Sequence, residues 1–202
     1  MFKNKTEHSK IEIFINRLKR QYKESNFPMS GINIHRDSYI EKHVKINNDI
    51  IKVLDKIRNK EPINVMLFGK DMLKKYDIAC YIFNIYFSYN CRKRCIDHNN
   101  YDHKMEARWI ESRGWLSNFN RIPTSDDARK IKFMVFFDFF PVPQNIEHIR
   151  MFQSLLVFRP FNNISTIFDA GTNFKQLFNT QTQGFDDTYA GTILKKYDKI
   201  EV

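Results

Sequence analysis

A glycine and a lysine six residues apart, Gly69 and Lys75, follow the apolar run Val65-Met66-Leu67-Phe68. That is the skeleton of a phosphate-binding loop, which reads G-x-x-x-x-G-K-[ST] after a buried strand and before a helix. In such a loop the backbone N–H groups cradle phosphates, the lysine reaches the terminal phosphates, and a Ser or Thr hydroxyl holds Mg²⁺. Gly69 and Lys75 fill the first and seventh positions, and Lys70 follows Gly69. The sixth position holds Lys74 and the eighth Tyr76. Lys74 puts a side chain where glycine would let the backbone wrap an anion. Tyr76 offers a bulky phenol in place of a short hydroxyl. A Gly and a Lys at this spacing are common by chance, so the context must decide.

A nucleotide hydrolase also needs a carboxylate at the end of a hydrophobic strand. Asp138 supplies one, after Val135-Phe136-Phe137. By itself it reads as well as the cap of a turn. Paired with the loop one α/β unit earlier, it reads as a metal-holding group.

Other residues have chemistry-bearing types in weaker arrangements. Cys91-x-x-x-Cys95-x-x-His98 with His103 has zinc-like ligands. Structural zinc sites separate their ligand pairs by a longer insert, so the sequence predicts a polar loop rather than zinc. Arg108, Trp109, Arg113 and Trp115 interleave cations with aromatics, which suits stacking on single-stranded nucleic acid. Tryptophan also fills cores and interfaces, and both roles stay open. Asp126-Asp127 and Asp186-Asp187 read as solvated caps or turns. No Ser/His/Asp or Cys/His set has a recognisable context.

The elements that must position these residues alternate. Ser9–Glu24 is a basic amphipathic helix, with Ile11, Phe14, Ile15, Leu18 and Tyr22 on one face. Phe27–Tyr39 is an irregular linker broken by Pro28 and Gly31. Asn48–Lys60 is a helix with Ile50, Ile51, Leu54 and Ile57 inward, stopped by Pro62. Strand Ile63–Phe68 and a helix from about Leu73 to Phe87 form the strand–loop–helix unit. Cys91–Phe119 has no legible period. Ile131–Phe137 is a near-continuous apolar strand of the kind buried on both faces of a parallel sheet. Helix Ile146–Phe158, strand Ile164–Phe168, helix Thr188–Tyr197 and the terminal Ile200-Glu201-Val202 follow. Such alternation predicts an α/β domain with a mainly parallel sheet.

With 202 residues, the chain fits one domain, and 42% hydrophobic with 15% aromatic content excludes global disorder. Three cysteines (Cys80, Cys91 and Cys95) argue against a disulfide scaffold, and Cys80 is a core candidate. No run approaches the length of a membrane span and no signal peptide is visible, which predicts a cytoplasmic protein. The net charge of +10 permits a polyanionic partner, although abundant Lys, Asn, Ile, Phe and Tyr also fit an AT-rich genome.

Gly69–Ala79 resembles the Walker A segment of DnaC/IstB-type AAA+ proteins, the bacterial replicative helicase loaders and their relatives. Ser30-Gly31-Ile32 with His35 resembles the segment preceding the ATPase core of that family. Phe133–Phe139 is similar to its Walker B strand, and Glu147–Arg159 to the helix that follows. Thr166-Ile167-Phe168 through Asn173 stands at the sensor-1 strand, and Gly184–Val202 at the closing helix and strand. The resemblance spans about residues 30–202 apart from Cys91–Arg129. It implies an AAA+ P-loop NTPase-like domain, residues 30–202, behind a short N-terminal helical extension, residues 1–29.

The family's activity would then be helicase loading: binding a DnaB-like helicase and helping place it on single-stranded DNA during initiation or restart. Ile11, Phe14, Leu18 and Arg20 of the reduced extension become the helicase-contact candidates, and self-association is compatible with the family. The departures point away from hydrolysis. Lys74 and Tyr76 alter the loop, Phe139 replaces the catalytic Glu, Gly171 stands near the sensor-1 Asn with Asn173 close by, and no arginine follows Arg159. Each lost element costs orders of magnitude in rate. The expectations are very little ATPase activity and weak or absent ATP–Mg binding through Gly69, Lys70, Lys74, Lys75 and Asp138. Two alternatives remain: a non-hydrolysing adaptor without an ATP cycle, and an IstB-like transposition helper.

Overall fold

In a computed structural model, residues 47–96, 107–111, 130–137, 146–171 and 187–202 are described. In chain order the elements are α1 (Asn48–Arg58), β1 (Asn64–Phe68), α2 (Met72–Ile96), β2 (Ala107–Glu111), β3 (Phe133–Phe137), α3 (Ile146–Phe161), β4 (Ser165–Asp169), α4 (Asp187–Lys196) and β5 (Asp198–Glu201). The strands form one sheet in the order β2-β3-β4-β1-β5, and every pairing is parallel. The mainly parallel α/β fold predicted from the alternation is the fold found.

The pleat divides the strand side chains between two cores. Val65 and Leu67 of β1, Phe133, Val135 and Phe137 of β3 and Ile167 of β4 face α1 and α2, where they meet Val53, Ile57, Ala79, Ile82 and Phe83. Met66, Met134, Phe136 and Phe168 face the other way, against Phe152, Leu155 and Leu156 of α3 and Ile193 of α4. All five residues of β3 are buried. Its continuous apolar run therefore has the two-sided burial that parallel sheets require. Cys80 is in the core.

Helix boundaries have local causes. The Asn47 side chain accepts the Ile50 N–H at 2.9 Å and caps α1. After α1, Lys60 takes φ +60° and the Glu61 N–H turns back to the Lys56 carbonyl, as in a left-handed helix stop. Asn163, at φ +56°, does the same after α3.

The structure corrects several readings. Ile51 is exposed, and Val53 takes its expected place in the core. Helix α2 runs on to Ile96, so Cys91 and Cys95 lie on a helix rather than in a polar loop. β2 falls inside the segment without a legible period. Residues 1–46, and with them Ile11, Phe14, Leu18, Arg20 and Ser30–Ile32, lie outside the described residues.

Replacing Asn47 with Ala removes the side-chain acceptor at the start of α1 and should cost about 1 kcal/mol of stability. Urea unfolding followed by circular dichroism checks this; an unchanged midpoint would contradict the capping role.

Candidate functional site

β1 ends at Phe68, and helix α2 begins only four positions later, at Met72. The segment in which a phosphate-binding loop would bulge outward is therefore partly wound into the helix. The Lys75 N–H donates to the Asp71 carbonyl at 3.1 Å, an ordinary helical bond. The Asp71 carboxylate accepts the Lys74 N–H at 3.0 Å and also bonds the Leu73 N–H. A helix N-terminus attracts anions through its free N–H groups and its dipole. Here the chain supplies that anion itself. The Lys74 amide holds the Asp71 carboxyl below the usual carboxylate range, with smaller help from the Lys74 ammonium. Asp71 thus stabilises the fold above the ordinary carboxylate range, and this contribution is lost as the pH falls through its lowered value.

Lys75 is 1% exposed. Its side chain enters the α1–α2 face of the sheet and meets Asp169, the last residue of β4, at 2.7 Å. Asp169 lies opposite Leu67 in the β1–β4 register and is buried too. The same carboxylate oxygen accepts the Gly171 N–H at 2.9 Å. The Gly171 carbonyl in turn accepts the Gly69 N–H at 3.0 Å and the Lys75 ammonium at 3.2 Å. Gly171 adopts φ +75°, which turns its amide toward Asp169 and its carbonyl toward Lys75 and Gly69. A closed ring of hydrogen bonds joins Lys75, Asp169 and Gly171, and Gly69 donates into it.

The other side of Gly69 is also filled. Val202 continues β5 past its pairing with β1 and donates its N–H to the Phe68 carbonyl at 2.9 Å. A Cβ on Gly69 would lie 1.8 Å from the Val202 carbonyl oxygen, and Gly69 has φ +132°. Glycine is required here by the approach of the chain's own backbone.

Tyr76 turns away from the loop and packs edge-on against Trp109 and Phe137, with centroids 5.7 and 5.3 Å away. Of the expected nucleotide-binding residues, Lys70 and Lys74 are exposed, whereas Gly69, Lys75 and Tyr76 are engaged inside the protein. The described residues of this loop do not fit a nucleoside triphosphate. Their lysine is paired, their helix N-terminus is capped by a carboxylate, and their glycine is covered.

Trp109 is a second correction. It is 2% exposed, stacks with Phe137 and meets Phe83 edge-on, so it cannot offer a face to a nucleic-acid base. Arg108 is in β2, but its side chain is outside the described residues, as are Arg113, Trp115, Asp138, His98, His103 and Asn173.

Asp169 is the residue that sequence reasoning missed. The parallel pairing of β4 with β1 brings it to Lys75, 94 positions away in the chain. The short strand Ile164–Phe168 followed by an acid was the available signal, weaker than the one that singled out Asp138 because Ser165 and Thr166 interrupt its apolar residues.

Arg159 is the other buried cation near β4. Its guanidinium donates to the Thr166 hydroxyl at 2.8 Å and to the Ile131 and Ser165 carbonyls at 2.9 and 2.5 Å. Burial pushes it down to about 10, which leaves it charged at neutral pH. It ties α3 to the starts of β3 and β4, at the opposite end of β4 from Asp169. The Tyr197 hydroxyl donates to the Leu156 carbonyl, and burial keeps it protonated.

No family model matches the sequence, and no curated protein is significantly similar to it. Solved structures are similar in three dimensions. A crystal structure of DnaI matches with a TM-score of 0.54 and 14% identity, covering 90% of each chain. A protein described as a putative primosome component from Streptococcus pyogenes serotype M3 matches with a TM-score of 0.51 and 13% identity. That match covers 86% of this chain and 84% of the other. These likenesses extend over nearly the whole chain and bear out the P-loop NTPase-like α/β fold.

Replacing Asp169 with Ala leaves the Lys75 ammonium buried without its carboxylate and should cost about 3–5 kcal/mol in urea unfolding. A loss under about 1 kcal/mol would contradict the burial of the pair. Gly69→Ala should also destabilise strongly, because its Cβ meets backbone at a positive φ. A wild-type melting temperature for that variant would show that Val202 does not cover the loop.

Proposed function

We propose that this chain serves bacterial DNA replication as a partner of a DnaB-like replicative helicase, which it helps place on single-stranded DNA, and that it does so without an ATP cycle. The observation that carries the replication half is the likeness to DnaI over nine tenths of both chains. The resemblance of Gly69–Ala79 and the later motifs to DnaC/IstB-type proteins supports it independently. The absence of an ATP cycle is supported by the pairing of Lys75 with Asp169 and by the backbone seated on Gly69.

In a nucleotide-driven loader, the triphosphate bridges the loop lysine and a metal and sets the affinity for the partner. A chain whose lysine is already paired internally offers nucleotide little hold on such an equilibrium, so its affinity for the helicase would not respond to nucleotide. In this reading the protein acts by binding. The helicase contacts fall to Ile11, Phe14, Leu18 and Arg20. Single-stranded DNA contacts fall to Arg108, Arg113 and Trp115.

A pull-down of purified DnaB-type helicase with the full chain tests this, with and without ATP–Mg. Equal capture in both conditions is expected, with capture reduced by at least about tenfold, roughly 1.4 kcal/mol, when Phe14 and Leu18 are replaced by Ala. No capture in either condition would remove the helicase reading, and capture of a transposase instead would favour the IstB-like one. ATP-dependent capture, lost in Lys75→Ala, would establish a working ATP cycle.

A further inference from the structure

We infer that Asp169 is an autoinhibitory group: its carboxylate is a resident anion on Lys75 and, with Gly171 and the Val202 backbone, it keeps a phosphate-type anion out of the loop. This rests on the geometry of the loop and not on the replication reading.

Three observations carry it. The Lys75 ammonium is the only cation that the described residues place inside the β1–α2 junction, and Asp169 is in direct contact with it at 2.7 Å. The Asp169 carboxylate also takes the Gly171 N–H, so one side chain satisfies both a cation and a backbone amide, as a bound phosphate oxygen would. The Gly171 carbonyl holds the Gly69 N–H, which turns that amide toward the protein. An acceptor oxygen thus occupies each of these donors.

Burying two opposite charges gains little stability over an apolar pair of the same size. A buried pair at this junction therefore calls for a role other than stability. Exclusion of a competing anion is one that the geometry supports. An anion entering the loop must displace a carboxylate already held at contact distance, and the loop's apparent affinity falls by the fraction of molecules in which the pair is open. Removing the carboxylate, and leaving Lys75 in place, should therefore open this loop to an anion.

The probe is inorganic pyrophosphate, titrated into the full chain against sodium chloride of matched ionic strength, with the folded fraction followed by circular dichroism during thermal melts. Anything that binds the folded state raises the folded fraction by mass action, whether or not the variant is folded at the start. Wild type should show no difference between the two salts. Asp169→Ala should be stabilised or refolded by pyrophosphate, with an apparent affinity at least about tenfold tighter than wild type. Adding Lys75→Met to Asp169→Ala should abolish that response. A response of Asp169→Ala no greater than that in chloride would overturn the inference, including the case in which the variant stays unfolded at every pyrophosphate concentration. So would a wild-type response that Lys75→Met removes, or an Asp169→Ala response that survives it.

Discussion

The arrangement of this domain turns on one buried ion pair, Lys75 with Asp169. Two charged groups taken out of water are tolerated only in good geometry and with their remaining hydrogen bonds met. Both conditions hold: the ammonium also reaches the Gly171 carbonyl, and the carboxylate also accepts the Gly171 N–H. Meeting them fixes the surroundings. Gly171 must adopt a positive φ, Gly69 must donate to it, and α2 must start early enough to bring Lys75 inside the sheet face. The pair joins the end of β4 to the first turn of α2, beside the end of β1. That is the region in which a nucleotide-binding relative would hold phosphate.

Seen this way, the altered residues of the loop form one consistent set. Lys74 is free to be a lysine because its amide caps onto Asp71 and its side chain is in solvent. Tyr76 is free to be large because it packs into the aromatic cluster with Trp109 and Phe137. Gly69 remains glycine, but its lack of a side chain now admits the Val202 carbonyl. The strand–loop–helix order of a P-loop is kept, and the groups that would face phosphate are used internally. A second buried cation, Arg159, performs the structural task at the opposite end of β4 through hydroxyl and carbonyl acceptors. The two ends of one strand thus carry two buried cations with different partners.

Much of the fold was legible in the sequence because burial in a parallel sheet leaves strong patterns. Phe133–Phe137 reads as a two-sided strand because both faces are covered, and α1, α3 and α4 were found close to their observed ends. β2 was not legible, since an edge strand of five residues with Arg108 and Glu111 in it gives neither a continuous apolar run nor a long alternation. The exposure of Ile51 and the burial of Val53 were missed because five apolar residues in one helix admit two overlapping faces. The site was half legible. Gly69 and Lys75 were found from their spacing, but their partners are set by strand order. Only the β4-β1-β5 neighbourhood brings Asp169 and Val202 to the loop, and no local pattern records it. Asp138 drew attention because it follows a continuous apolar run, whereas Ser165 and Thr166 break the run before Asp169.

The central claim is that Lys75 is held by a carboxylate of its own chain, and a double-mutant cycle on Lys75 and Asp169 tests it most directly. Stability would be measured by urea unfolding for wild type, Lys75→Met, Asp169→Leu and the double variant. The account predicts that each single change is strongly destabilising, and that the double variant is more stable than the sum of the two losses implies by about 2–3 kcal/mol, because an apolar pair replaces a buried ion pair. Additive losses, within about 0.5 kcal/mol, would mean that the two groups do not depend on each other and would contradict it.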